Sequence, residues 1–255
     1  MDLPATHSEA SPGFWRRQFQ LPATAEQSWF DFCFGIIAPV LCVFFDPAVF
    51  RSSGMMGGGM LSYLRLFGYL EIGAGTAALG YYLLTRRGSL LLAGALCGGA
   101  LFSFLVGLGI LPLTILGLLF IVGVFGFTPF ASGFVFLRNG FRCWRVSSPR
   151  FPRATARFRV VLGSVLFLGV PMGLQLAISN MAHRALTALQ SGSEHDFGHA
   201  LQTLKYLRFA SDANTDEIAF AYQKATDEKR RERLARAYQT LTGRSVEERL
   251  AELND

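Results

Sequence analysis

From Gly88 to Leu137 the chain runs fifty residues without one charged side chain. A helix that crosses the hydrocarbon core of a bilayer takes about 20 apolar residues, so this stretch holds two crossings. The break falls at Gly107-Leu-Gly-Ile-Leu-Pro112, which puts one span near 89–108 and the next from 110 to about 130, its helix continuing to 137. Residues 160–181 form a further span between Arg159 and His183, and residues 61–84 are apolar apart from Arg65 and Glu71. The run at 30–50 is the shortest, with fourteen uncharged residues between Asp31 and Asp46. A soluble core helix explains one such run but not five in series. The expected fold is all-α: a polytopic transmembrane helical bundle of about five spans with a small C-terminal helical domain. A content of 51% hydrophobic and 16% charged residues excludes disorder, collagen and a disulfide-rich scaffold.

The net charge of +6 is unevenly spread. Residues 1–29 sum to −1, 30–137 to +1, 138–159 to +7 and 160–255 to −1. The excess is thus one loop, which carries Arg138, Arg142, Arg145, Arg150, Arg153, Arg157 and Arg159 and no acid. Basic loops stay cytoplasmic. Counting back, Arg86-Arg87 and the 1–29 leader with Arg16 and Arg17 fall inside, and the 51–60 and 107–112 turns fall outside. The C-terminal residues 182–255 then lie across the membrane as an extracytoplasmic tail. The first apolar run starts behind a long polar leader with no A-x-A site after it, unlike a cleaved signal peptide. A ratio of 21 Arg to 3 Lys suits a GC-rich bacterial genome, so the membrane is expected to be the bacterial inner one.

Within the spans, Gly94-x-x-x-Gly98 and Gly169-x-x-x-Gly173 have the spacing of small residues that lets helices approach closely. Glu71 sits near mid-span, where an ionised carboxylate is costly. It shares a helix face with Gly68, Gly75 and Ala78 and so points to a packed neighbour. Two roles fit it: a proton or cation site on a transport path, or a hydrogen-bonded link between helices. Arg65 lies six residues away on another face and is no obvious partner.

Phe130, Phe134, Leu137, Phe141 and Trp144 step by four and three, and Arg138, Arg142 and Arg145 step likewise on an adjacent face. The fourth span therefore runs on as an amphipathic helix at the cytoplasmic surface. Its arginines are expected to contact anionic lipid headgroups or to serve as an orientation signal alone.

The tail reads as short amphipathic helices. Phe197, Ala200, Leu201, Leu204 and Leu207 make one stripe, Ile218, Ala219 and Tyr222 a second, and Leu234, Ala237, Tyr238 and Leu241 a third. Caps are expected at Asn214 with Glu217 and at Ser245 with Glu248, the latter opening a helix with Leu250 and Leu253. The motif A-x-A-Y-Q-x-x-T occurs at 219–226 and again at 235–242, which predicts equivalent packing for Tyr222 and Tyr238. His195 and His199 are one turn apart, but no third metal ligand is evident.

Several chemistries have no support. Gly73 to Gly80 lacks the G-x-G-x-x-G spacing, and there is no Walker A loop, no G-x-S-x-G and no histidine inside a span. The Met-rich loop at 54–60 is a poor copper site, and Cys33, Cys42, Cys97 and Cys143 lie outside the tail with no C-x-x-C. The basic 138–159 loop is too small a platform for nucleic acid. No cofactor is expected. The expected function is that of a non-enzymatic envelope component anchoring a helical interaction tail, with a protein partner or a second copy of the chain. The alternative is a transporter or channel subunit that uses Glu71.

Overall fold

The structure is a computed structural model that describes residues 24–41, 65–117, 126–191, 194–207 and 213–254. Among these residues there are only helices, turns and bends, and no strand. The helices are α1 (Ala25–Phe32), α2 (Arg65–Thr85), α3 (Leu90–Gly117), α4 (Thr128–Ser147), α5 (Arg153–Ser191), α6 (Glu194–Leu207), α7 (Ala213–Lys224), α8 (Glu228–Thr242) and α9 (Val246–Asn254).

Two of them contain stretches long and apolar enough to cross a membrane: Leu90–Pro112 in α3, with mean hydropathy 2.1, and Arg153–Gln190 in α5, with 2.0. Five crossings are thus reduced to two candidates among the described residues. Helix α2 is long enough but is diluted by Glu71 and three tyrosines, and α4 carries three arginines. The expected spans near 30–50 and 110–137 fall partly on residues 42–64 and 118–125, outside those described. The break expected at Gly107–Pro112 is absent, because α3 continues through Pro112 to Gly117. A proline inside a helix removes one hydrogen bond, and the flanking turns still close theirs.

Each helix starts and stops for a local reason. Thr24 and Gln27 form a reciprocal capping box on α1, with bonds of 3.2 and 3.4 Å. The chain then widens into a π-helical turn at Cys33–Ile37. Gly35 sits in that turn, and a Cβ there would collide with Leu79 and meet Val135 Cγ1 at 2.8 Å. Ser89 caps α3 by accepting from Leu92 N at 3.1 Å. Gly243 closes α8 in the left-handed region, at φ 76°.

Two compact units divide the chain, one built from residues 24–41 and 74–167 and the other from 65–73 and 168–254. In the first, α4 is central and buried on almost every side between Ser132 and Cys143. It runs antiparallel to α3: Gly107 packs on Phe130, Gly133 on Phe104 and Gly140 on Cys97. It is also antiparallel to α1, where Ser132 Oγ donates to Phe34 O at 2.6 Å. Helices α3 and α5 run parallel and touch backbone to backbone at Gly94 and Gly163, and Ser164 Oγ donates to Gly94 O at 2.8 Å. The small-residue spacing at Gly94 and Gly98 is used as expected. The Gly169 and Gly173 pair is not: both face outward, and nothing lies within 4 Å of an added Cβ.

The second unit contains the tail, and its boundary differs from the expected one. Helix α5 does not stop at residue 181 but runs unbroken to Ser191. Ala182, Ala185, Leu186 and Leu189 on its far end join Phe197, Ala200, Leu204, Ile218, Ala219, Leu234, Ala237, Tyr238, Leu241 and Val246 in one core. The predicted tail stripes are therefore core faces. Glu248 N bonds to Ser245 Oγ at 3.2 Å, as the predicted cap requires. Helix α7 begins at Ala213, one residue before the other predicted cap, and the Asn214 side chain lies outside those described. The two tyrosines of the repeated motif are not equivalent: Tyr238 is buried, while Tyr222 is half-buried with its hydroxyl on Glu247 Oε1 at 2.6 Å. Helix α7 turns Ala219 fully inward where α8 turns Ala237, so the two helices present different phases of the same motif.

Candidate functional site

The strongest electrostatic feature lies between α1 and α4. Gln27 and Asp31 are one turn apart on α1, and Arg138 and Arg142 are one turn apart on α4. Antiparallel packing brings the two pairs face to face. Arg138 donates to Asp31 Oδ1, and Arg142 Nη1 reaches Asp31 Oδ2 at 3.3 Å. Arg142 Nη2 donates to Gln27 Oε1 at 2.6 Å, the same oxygen that closes the α1 capping box. Arg138 also donates to the Gln27 carbonyl at 3.4 Å. Its guanidinium lies over Phe30 and Phe134, 5.6 and 5.5 Å from the ring centres.

All three charges are inside the protein, with exposures of 0% for Asp31, 2% for Arg138 and 1% for Arg142. A buried charge is tolerated only when paired and hydrogen-bonded, and this cluster meets that condition. Chemically it is a lock: arginine does not give up a proton in a protein, so neither guanidinium serves as an acid or base.

This corrects the expectation that Arg138 and Arg142 contact lipid headgroups. They turn inward because α1 supplies acceptors at the matching one-turn spacing. Arg145 is exposed, as are Arg150, Arg153, Arg157 and Arg159, so the exposed charge of the basic loop lies at the end of α4 and the start of α5. Sequence reading missed Gln27 and Asp31 as partners. The signal was there in two i, i+4 pairs of opposite character on neighbouring helices.

Glu71 is also buried, at 1% exposed, and neither of its carboxylate oxygens has a hydrogen-bond partner among the described residues. One turn before it, Phe67 N donates to Gln175 Oε1 of α5 at 3.0 Å, a cap supplied to α2 from another helix. Gln175 is itself buried, at 2% exposed, and its amide donates to Ser179 Oγ at 3.2 Å. Arg65 is the first residue of α2, and its side chain lies outside those described. The cluster at Asp31 and the acid at Glu71 belong to different units.

His199 is exposed on α6, and the His195 side chain lies outside those described. Among the described residues no group of three or more His, Cys, Asp or Glu side chains is gathered to hold a metal ion. Cys143 is buried and donates to Ser89 O at 3.3 Å, a packing role. Comparison with protein-family models, with curated proteins and with solved structures gives no match.

Proposed function

We propose that this chain is a non-enzymatic integral membrane protein of the cell envelope that holds a helical unit, residues 182–254, for contact with a protein partner or a second copy of itself. One observation carries the reading. The apolar stretch of α5 is only 22% buried, whereas the core helix of a soluble protein of this size is mostly covered. Val161, Val165, Leu166, Val170, Leu174 and Leu176 all face outward, a surface that needs lipid or another chain around it. The same helix then supplies one wall of the tail core, so the tail is fixed to its anchor without a linker.

In this reading the bilayer is the bacterial inner membrane, the leader and the 138–159 loop are cytoplasmic, and the tail lies on the far side. The unit built on α1 to α5 supports that arrangement. There α1, α3 and α5 run one way and α2 and α4 the other, as successive crossings require. The anionic headgroups meet Arg145, Arg150, Arg153, Arg157 and Arg159.

Alkaline carbonate washing of native membranes tests the anchor: the chain stays with the membrane pellet, and release into the wash overturns it. Photo-crosslinkers at Tyr206 and Phe220, exposed aromatic positions on α6 and α7, test the interaction. The expected result is one discrete adduct that is lost when α5 is broken by Thr187→Pro.

A second reading, a transporter or channel subunit, is favoured by Glu71, whose buried carboxylate has no hydrogen-bond partner among the described residues.

A further inference from the structure

Glu71 belongs to a longer polar feature. Helices α2 and α5 run antiparallel, with Phe67 bonded to Gln175 and Gly75 packed on Phe167, where an added Cβ would meet Cζ at 3.5 Å. Glu71 is midway between Phe67 and Gly75 and so falls level with Pro171. Pro171 is buried and contributes no N–H, which leaves α5 one helical hydrogen bond short at this level.

From Pro171 the same face of α5 continues as Gln175, Ser179 and His183, each one turn beyond the last. Gln175 is buried, Ser179 is half-buried and His183 is exposed. The Gln175 amide is bonded to Ser179 Oγ at 3.2 Å. Polar side chains therefore lead from Gln175, one turn from the level of the buried acid, to solvent over eight residues, about 12 Å at the helical rise. Of the other outward positions of α5 in this stretch, Gly173, Leu174, Leu176, Ala177 and Met181 are apolar or small, and Asn180, beside Ser179 near the solvent end, is polar.

The donor set decides the ligand. Among the described residues, one carboxylate and one amide oxygen, the latter already taken by Phe67 N, fall far short of the six or more oxygens that a calcium or magnesium ion requires. Titratable neighbours are few among the described residues of α2 and α5. Tyr69 lies on another face of α2, Arg65 begins that helix, and α5 has no titratable side chain between Arg159 and His183. A proton is what such a site exchanges.

We propose that Glu71 is a proton-binding site within the bundle, reached through Gln175, Ser179 and His183 from the compartment that holds the tail. A proton from water adds to the Glu71 carboxylate to give the neutral acid, and it leaves by the same lane. No other reactant is needed. The proposal rests on the second reading above and on α2 and α5 lying in a bilayer.

The test uses the full-length chain in sealed vesicles that hold a pH gradient, with the tail facing out. Dicyclohexylcarbodiimide, an apolar reagent, couples to protonated carboxyl groups, and mass spectrometry locates the adduct. The expected result is an adduct on Glu71 that increases as the outer medium is acidified, ignores the inner pH and vanishes in Glu71→Gln. In a second readout, infrared spectroscopy follows hydrogen–deuterium exchange of the Glu71 carboxyl. Ser179→Val leaves the Phe67–Gln175 bond in place and slows this exchange by about tenfold or more, as does Gln175→Leu; tenfold corresponds to about 1.4 kcal/mol of barrier.

No adduct at Glu71, an adduct that follows the inner pH, or native exchange rates in both lane variants would overturn the proposal. A chain that survives carbonate washing yet fails these tests loses the proton site and keeps its anchor. A chain released by washing loses the membrane reading as well.

Discussion

Asp31 is the residue on which the first unit turns. Its carboxylate meets two buried guanidiniums, one on each oxygen, and Asp31→Asn takes that charge from both at once. Asp31→Asn is expected to cost about 3–5 kcal/mol in unfolding assays in detergent, the usual penalty for breaking a buried ion pair from one side. Asp31→Asn combined with Arg142→Gln recovers part of that loss, because one of the two buried guanidiniums that Asp31 meets is removed with it. Equal or additive losses in the double variant would show that the two do not interact. Tyr222 and Glu247 make a milder, exposed contact in the tail. The Tyr222 hydroxyl holds the Glu247 carboxyl below its ordinary value, and the bond to Glu247 raises Tyr222 above its own. A lowered carboxyl stabilises the fold above about pH 4.5 and loses that contribution as pH falls further; a raised phenol stabilises below about pH 10 and loses it as pH rises further. Tyr222→Phe should therefore narrow the pH range of tail stability at both ends, as followed by circular dichroism. Unchanged limbs would mean the bond contributes nothing in solution.

At the scale of elements, α3 and α5 meet through glycine. A Cβ at Gly94 would run into the Val160 carbonyl and lie 2.9 Å from Gly163 Cα, where only backbone is available to yield. Gly94→Leu is expected to cost at least the ~1–3 kcal/mol of an overpacked core and to separate the two helices. Gly169→Ala and Gly173→Ala, whose added carbons meet nothing within 4 Å, should leave the packing unchanged and raise the stability of the isolated chain by about 0.5–1 kcal/mol each, the cost of glycine in a helix interior. Both glycine pairs have the same spacing, and nothing in the letters tells which one is used. The tail helices were the most legible part of the chain. Their apolar stripes alternate with charged side chains, and Leu234, Ala237, Tyr238 and Leu241 turn inward as that pattern requires. Helix α4 obeys the reverse logic. Its period was readable and its helix runs on as expected, but Phe141 is the exposed side chain and Arg138 and Arg142 the buried ones. Period alone does not choose the inward face when another helix offers acceptors in register. For the same reason Glu71 could be singled out as a lone acid in an apolar run, while Gln175 on α5 gave no signal until the two helices were set side by side.

For the whole molecule, the continuity of α5 governs what the tail can do. Residues 182–189 belong at once to the helix that carries the apolar stretch and to the core beneath α6 to α9. A tail held this way presents its exposed surface in one orientation relative to its helix, and a partner meets it without first ordering a linker. Thr187→Pro would remove a helical hydrogen bond at an exposed position and cost about 3 kcal/mol or more. The prediction is that this substitution disrupts the tail core and leaves membrane insertion intact, since it falls near the end of the Arg153–Gln190 stretch and leaves residues 160–181 untouched. The central claim is that α5 crosses a bilayer and delivers the tail to the far side. Its most direct test is a pair of single-cysteine variants in a cysteine-free background, Arg145→Cys before α5 and Thr240→Cys in α8, both exposed, labelled in intact cells with a membrane-impermeant maleimide. The account predicts that Thr240→Cys is labelled at once and Arg145→Cys only after the membrane is opened. Labelling of both sites from the same side would contradict it.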